Sequence, residues 1–198
     1  MPRNGSACSQ CALPLPDGPD TLCGACQQKP PPYRATVAPL LFKFPVNRLV
    51  HRFKFQRDLA SGRILTDLLT EHLASGGVPE PAMVLPVPMH RLRLATRGLN
   101  PAYEIARRCS RALGLPLTAH GLQRCRNTRT QTGLDAGNRR RNLRGAFRWR
   151  ESRLDGLHVA MVDDVMTTGS TVSECARVLT RAGAESVSVW VLARAVHH

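Results

Sequence analysis

The run Val159-Ala160-Met161-Val162-Asp163-Asp164-Val165-Met166-Thr167-Thr168-Gly169-Ser170-Thr171 passes from four apolar residues to two adjacent carboxylates. It then turns to hydroxyls gathered around one glycine. A short apolar tetrad bounded by polar residues suits a buried parallel strand. From Ser170 onward apolar residues recur at helical spacing (Val172, Ala176, Val178, Leu179), which predicts a helix to about Ala182, stopped by Gly183. Strand, tight loop and helix in that order belong to an α/β chain.

The same run fits a ligand. Gly169 lets the backbone turn tightly, and the hydroxyls with the free N–H groups of a helix start form a cradle for phosphate. Asp163 and Asp164 would repel that phosphate. They are better suited to accept hydrogen bonds from neutral sugar hydroxyls or to stand near Mg2+. A phosphate and a diol together describe a phosphorylated ribose. The plainer reading is a structural turn with Ser or Thr as a helix cap.

Strands and helices alternate along the rest of the chain. "ATVAPLLF" (35–42) reads as a strand, "VNRLVHRFKF" and "LASGRILTDLLTEHLAS" as two helices, and "MVLPVP" (83–88) as a second buried strand. "LNPAYEIARRCSRALG" is an amphipathic helix with Asn100 as N-cap, Pro101 at its first position and Gly114 at its end. Strand 158–163, helix 170–182 and strand 186–192 complete a mostly parallel, doubly wound sheet. Ligands of such sheets bind outside the carboxyl ends of the strands. The loop "PVPMHRLRLATRG" after strand 83–88 carries Arg91, Arg93 and Arg97 and suits a pyrophosphate. His90 in that loop reads either as a surface residue or as a base.

Four of the seven cysteines form two C-x2-C pairs, Cys8/Cys11 and Cys23/Cys26. This spacing suits structural zinc, with an iron site or two disulfides as alternatives. They define a module at 1–29, followed by a linker at 30–35, stiffened by "KPPP" (29–32), and a main domain at 36–198. Nothing resembles a signal peptide, and the longest apolar stretch is too short to span a bilayer, so a cytoplasmic protein is expected.

The formal net charge is +14, and it is concentrated. Between His90 and Arg150 fifteen arginines face only Glu104 and Asp135, so nearly all the excess lies in one third of the chain. That implies an anionic partner, either a polyphosphate, a nucleic acid or both. Within this region "RCRNTRTQTGLDAGNRRRNLRGAF" (124–147) is too polar for a core. It reads as a solvated loop or as a lid that folds over an anion.

Taken together, the four-cysteine start, Phe53-Lys54-Phe55, "VPMHRLRLATRGLNPA", "RNTRTQTGL", "RRRNLRGAF" and the Val159–Thr171 run resemble the ComF family (competence protein F or GntX-like) over nearly the whole chain. The last motif is similar to the signature of type I phosphoribosyltransferases. The resemblance implies that fold, an N-terminal zinc module, and binding of Mg2+ with 5-phosphoribosyl-1-pyrophosphate. It assigns the ribose hydroxyls to Asp163 and Asp164 and the 5'-phosphate to Thr167, Thr168, Gly169, Ser170 and Thr171, with Val165 and Met166 inside the same motif. It further implies a pyrophosphate loop at Val87, Pro88, Met89, His90 and Arg91. A flexible basic region that also meets DNA would hold Arg97, Arg124, Arg126, Thr128, Gln131, Arg139, Arg140, Arg141 and Asn142. Leu99 and Pro101 depart from the family, which usually has an aromatic residue and a Gln there. The family association implies a role in natural transformation through imported single-stranded DNA, with competence helicases or recombination proteins as partners. A metabolic phosphoribosyltransferase with an unidentified acceptor is the alternative.

Overall fold

Four strands lie side by side and all run the same way. In a computed structural model describing residues 1–16, 21–76, 79–126 and 143–196, β1 (Ala35–Val37), β7 (Ser186–Arg194), β6 (His158–Met166) and β3 (Met83–Pro86) form the sheet in that order. The short β2 (Leu40–Leu41) follows β1 onto the far end of β7, with Leu40 opposite Ala193. Every pairing in this sheet is parallel, as the alternating sequence predicts.

The expected single strand at 35–42 is broken by Ala38-Pro39. Proline has no N–H to give a ladder, and the Pro39 carbonyl instead accepts from Asn4 N at 2.9 Å. The chain before β1 lies along this same edge, with Leu41 N donating to Pro2 O at 3.0 Å. The strand expected to end at Asp163 continues to Met166, and its neighbour continues to Arg194. Val165 opposes Ala193 and Met166 opposes Arg194. Both aspartates therefore stand inside a paired strand instead of in the loop after it.

Alternation along the strands sorts the core into two layers. Val159, Met161, Val187, Val189 and Val191 pack on one face with Cys175, Ala176 and Leu179 of α6 (Ser170–Arg181). Ala160, Val162, Trp190 and Leu192 pack on the other, against three helices. These are α2 (Val46–Gln56), α3 (Leu59–Ala74) and α5 (Pro101–Leu113). Sheets covered on both faces read as continuous apolar runs, which is why 159–162 and 187–193 are almost wholly hydrophobic.

Local signals hold where they were strongest. Asn100 caps α5 by accepting from Ala102 N at 3.2 Å, Pro101 opens the helix, and Gly114 closes it at φ 69°. Elements that periodicity missed are all short. They are α1 (Gly24–Gln28), α4 (Arg91–Arg97) and an antiparallel hairpin of β4 (Leu122–Arg124) with β5 (Phe147–Trp149). Among the described residues no helix is long and apolar enough to cross a membrane.

Candidate functional site

The carboxyl ends of β3 and β6 open into a cleft of about 620 Å3. Three elements bring the expected residues to it: Asp163 and Asp164 from β6, Thr171 from α6, and Val87, Pro88 and Met89 from the chain after β3. A fourth contribution was not expected. Asn47, His51, Lys54 and Phe55 of α2 form the facing wall. In α2, Val46, Val50 and Phe53 are buried at i, i+4 and i+7, and the wall residues lie next to this stripe. Sequence spacing marks the buried stripe but cannot say that its flank looks onto a cleft.

The two carboxylates differ. Asp164 is 8 % exposed and holds Lys54, with Nζ 2.7 Å from Oδ1; the same oxygen accepts from Val165 N at 2.6 Å. Asp163 Oδ1 accepts from Asp164 N at 2.8 Å. Burial, then repulsion from Asp164, pushes Asp163 up to about 7 against the pull of Lys54 and Arg124. Two close carboxylates cannot both ionise cheaply in a buried place. Lys54 offsets the charge of Asp164, and Asp163 is left as the carboxylate without a cationic partner at that distance among the ion pairs of the described residues.

The hydroxyl loop follows directly. Gly169 has φ 72°, a left-handed conformation that a side chain would strain. Thr168 Oγ1 lies 3.0 Å from Ser170 Oγ and 3.4 Å from Ser170 N. Thr167 and Thr168 are exposed while Gly169 and Ser170 are buried. Thr167 and Thr168 thus stand exposed just before a twelve-residue helix, a place that suits an anion, and of this segment Thr171 is the residue that lines the cleft.

In the loop expected to take a pyrophosphate, Asn100 Nδ2 donates to Val87 O at 3.1 Å, so the helix cap also fixes the loop. His90 Nδ1 accepts from Leu92 N at 3.3 Å and caps α4. Arg91 lines a neighbouring cleft of about 460 Å3, while Arg93 and Arg97 line the main one. Arg97 stacks its guanidinium 4.8 Å from the centre of the Phe55 ring. Burial, then repulsion from Arg93, lowers the pKa of both Arg97 and Arg124. Three arginines from α4 and β4 therefore crowd one opening, a field that favours a polyanion.

Arg126 Nη1 donates to Arg144 O at 3.1 Å, and Glu174 Oε1 accepts from Gly145 N at 3.0 Å. These contacts fasten the two ends of the basic region. Thr128, Gln131, Arg139, Arg140, Arg141 and Asn142 lie outside the described residues.

At the other end of the chain the sulfurs of Cys8, Cys11, Cys23 and Cys26 all lie within 4.8 Å of one another. Cys11 Sγ is 3.6 Å from Cys23 Sγ. A disulfide would need about 2.0 Å, whereas tetrahedral zinc with bonds of about 2.3 Å separates its sulfurs by roughly 3.8 Å. Burial raises Cys11 to about 11, against hydrogen bonds from Leu13 N–H and Cys26, and raises Cys26 further, with neighbouring cysteines adding to it. Cys8 is brought to about 7: burial raises it, but N–H groups of Cys23, Cys11 and Gln10 outweigh that. Four crowded thiols of this kind ionise together only around a cation, and the cluster is compatible with structural zinc.

Residues 93–197 match the phosphoribosyl transferase domain family. The chain is 40% identical over 193 residues to DNA utilization protein YhgH of Salmonella typhi, covering 96% of this chain and 84% of that protein. It is 36% identical over 179 residues to Competence protein F of Haemophilus influenzae, covering 87% and 78%. The chain belongs to the ComF family of phosphoribosyl transferase domain proteins. Among solved structures, the glutamine phosphoribosylpyrophosphate amidotransferase of B. subtilis aligns with a TM-score of 0.44 at 22% identity, over 67% of this chain and 26% of that one. The domain match takes in the acid pair, the hydroxyl loop and the basic hairpin. The cysteine cluster and Lys54 precede it, and there the likeness is to the full-length ComF relatives.

Proposed function

We propose that this ComF-family protein binds Mg2+ and 5-phosphoribosyl-1-pyrophosphate in the cleft at the ends of β3 and β6. Single-stranded DNA is then handled on the basic surface beside it during natural transformation. One observation carries the reading: an acid pair, Thr171 from the helix start that follows the hydroxyl loop, and three arginines converge on a single opening. The Thr167–Thr171 loop takes the 5'-phosphate, Asp163 and Asp164 take the ribose hydroxyls, and Arg93, Arg97 and Arg124 meet the pyrophosphate. Asp163 and Asp164 also offer the carboxylates that magnesium takes beside substrate phosphates, and the ion, when bound, would neutralise phosphate charge. For transfer to an acceptor, the chain's own part is to fix both phosphate ends and to hold the departing negative charge with arginines. Cys8, Cys11, Cys23 and Cys26 hold one zinc ion as a structural centre.

The DNA half of the proposal rests on the concentration of arginine between residues 90 and 150 and on the competence and DNA-utilization names of the relatives. Calorimetry on the purified protein separates the two halves. Ribosyl pyrophosphate with Mg2+ is expected to saturate one site, weakened by Asp164→Ala and by Thr168→Ala. Equal binding by wild type and both variants would place the pocket elsewhere. Single-stranded DNA is expected to bind at low salt; its failure to bind would leave a metabolic transferase or a polyphosphate site.

A further inference from the structure

The cysteine cluster and the hydroxyl loop are joined by one buried side chain. Arg194, at the end of β7, is 8 % exposed. Its Nε donates to Cys11 O at 2.9 Å, while the two N–H of its Nη1 are shared among Met166 O, at 3.1 Å, and the carbonyls of Thr167 and Ala195. No carboxylate pairs with it among the described residues. A buried guanidinium is tolerable only if its donors are met, so these carbonyls are bound to stay where they are. Cys11 belongs to the metal knuckle, Met166 ends β6, and Thr167 opens the hydroxyl loop.

A second contact runs parallel to the first. Tyr33, 5 % exposed, packs in the same core as Ala12 and Met166. Burial, then the charges of Cys11 and Cys26, raises its phenol pKa. Its hydroxyl oxygen lies only 3.2 Å from where a Cβ on Gly169 would stand. Tyr33 thus shares a core with Ala12, the residue after Cys11, and meets the turn of the loop at Gly169.

The knuckle itself is under strain. Ala12, directly after Cys11, has φ 54°, a left-handed conformation that an L-residue adopts only at a cost. The turn is closed by Ala12 N donating to Cys8 O at 2.8 Å. Cross-linking Cys8 and Cys11 through a metal would hold this turn, and the turn aims the Cys11 carbonyl at Arg194.

We propose that metal at Cys8, Cys11, Cys23 and Cys26 sets the affinity of the Thr167–Thr171 loop for a phosphate ester, with Arg194 as the positioning residue that couples them. This rests on the reading of the loop as the 5'-phosphate site. With metal bound, the Cys11 carbonyl holds the guanidinium, which holds the Met166 and Thr167 carbonyls and so the orientation of the loop. Without it, the knuckle relaxes and Arg194 loses one of its acceptors. Coupling between two sites is reciprocal, so the phosphate ligand must tighten the metal by the same factor.

The test uses the full chain, with zinc and ribosyl pyrophosphate plus Mg2+ as probes. Removing zinc is expected to weaken ribosyl pyrophosphate by roughly tenfold, and saturating ribosyl pyrophosphate to strengthen zinc against a competing chelator equally. Arg194→Gln, with zinc retained, is expected to bind ribosyl pyrophosphate more weakly, and its zinc affinity should no longer respond to that ligand. Equal ribosyl pyrophosphate affinity with and without zinc, in protein whose circular dichroism is unchanged, overturns the coupling. Should stripping unfold the chain, Arg194→Gln decides, and an unaltered response of zinc to the ligand overturns it. If zinc-loaded wild type binds no ribosyl pyrophosphate at all, the phosphate-site reading itself falls and takes this inference with it.

Discussion

Lys54 Nζ stands 2.7 Å from Asp164 Oδ1, so a helix from the first half of the chain neutralises half of the acid pair. Both side chains are mostly buried, and removing one partner leaves the other charge without compensation. Lys54→Met is expected to lower stability by about 1–3 kcal/mol in urea unfolding. In Lys54→Met/Asp164→Asn much of that loss should return, and strictly additive losses would show that the pair does not interact.

The contribution of Asp163 to stability should fall as pH rises from about 4 to 7. Asp163 is raised to about 7, chiefly by burial, while an unfolded aspartate titrates near 3.9. The folded state then binds more protons through this window. Its contribution is complete below about 4 and is lost as pH passes about 7. In EDTA, Asp163→Asn is expected to flatten this slope and to be the more stable protein at pH 8. Because His158, lowered by burial, acts in the opposite sense, the comparison decides, and the same profile between pH 4 and 7 in both proteins would refute it.

Gly169 cannot be replaced quietly. Gly169→Ala places a side chain at φ 72° and 3.2 Å from the Tyr33 hydroxyl, at an expected cost of about 1–2 kcal/mol. Ribosyl pyrophosphate should weaken more in this variant than in Gly145→Ala, which also has positive φ but meets no atom within 4 Å. Similar ligand losses in the two would detach the effect from the loop.

Metal analysis should find about one zinc per chain, as a four-thiolate site requires. Cys8→Ser or Cys26→Ser should release it on mild chelation. Two disulfides by mass in the metal-free protein would exclude the site.

The affinity for single-stranded DNA should fall steeply with salt and vary little with base sequence. Replacing Arg139, Arg140 and Arg141 by Ala together should flatten the log–log salt slope by about 2, near 0.7 per lost phosphate contact on a single strand. An unchanged slope would mean that these arginines do not touch the strand.

The sequence alone determined the parallel α/β scaffold, the α5 cap at Asn100, the two C-x2-C pairs and the Asp163–Thr171 motif. Each is written in neighbouring residues, through periodicity, turn chemistry or spacing, so no distant contact is needed to read it. The broken edge strand was legible in principle, because Pro39 forbids a continuous ladder. The wall made by α2, the Lys54–Asp164 pair and the link from Arg194 to Cys11 were not. They join residues that are 110 and 183 positions apart, and a sequence window carries no record of which faces meet. The tertiary structure also decided how far β6 runs. Val165 and Met166 become strand because β7 supplies partners at Ala193 and Arg194. The acid pair therefore sits in a paired, half-closed strand, where burial raises Asp163, and not in a solvated loop, where it would titrate as an ordinary carboxylate.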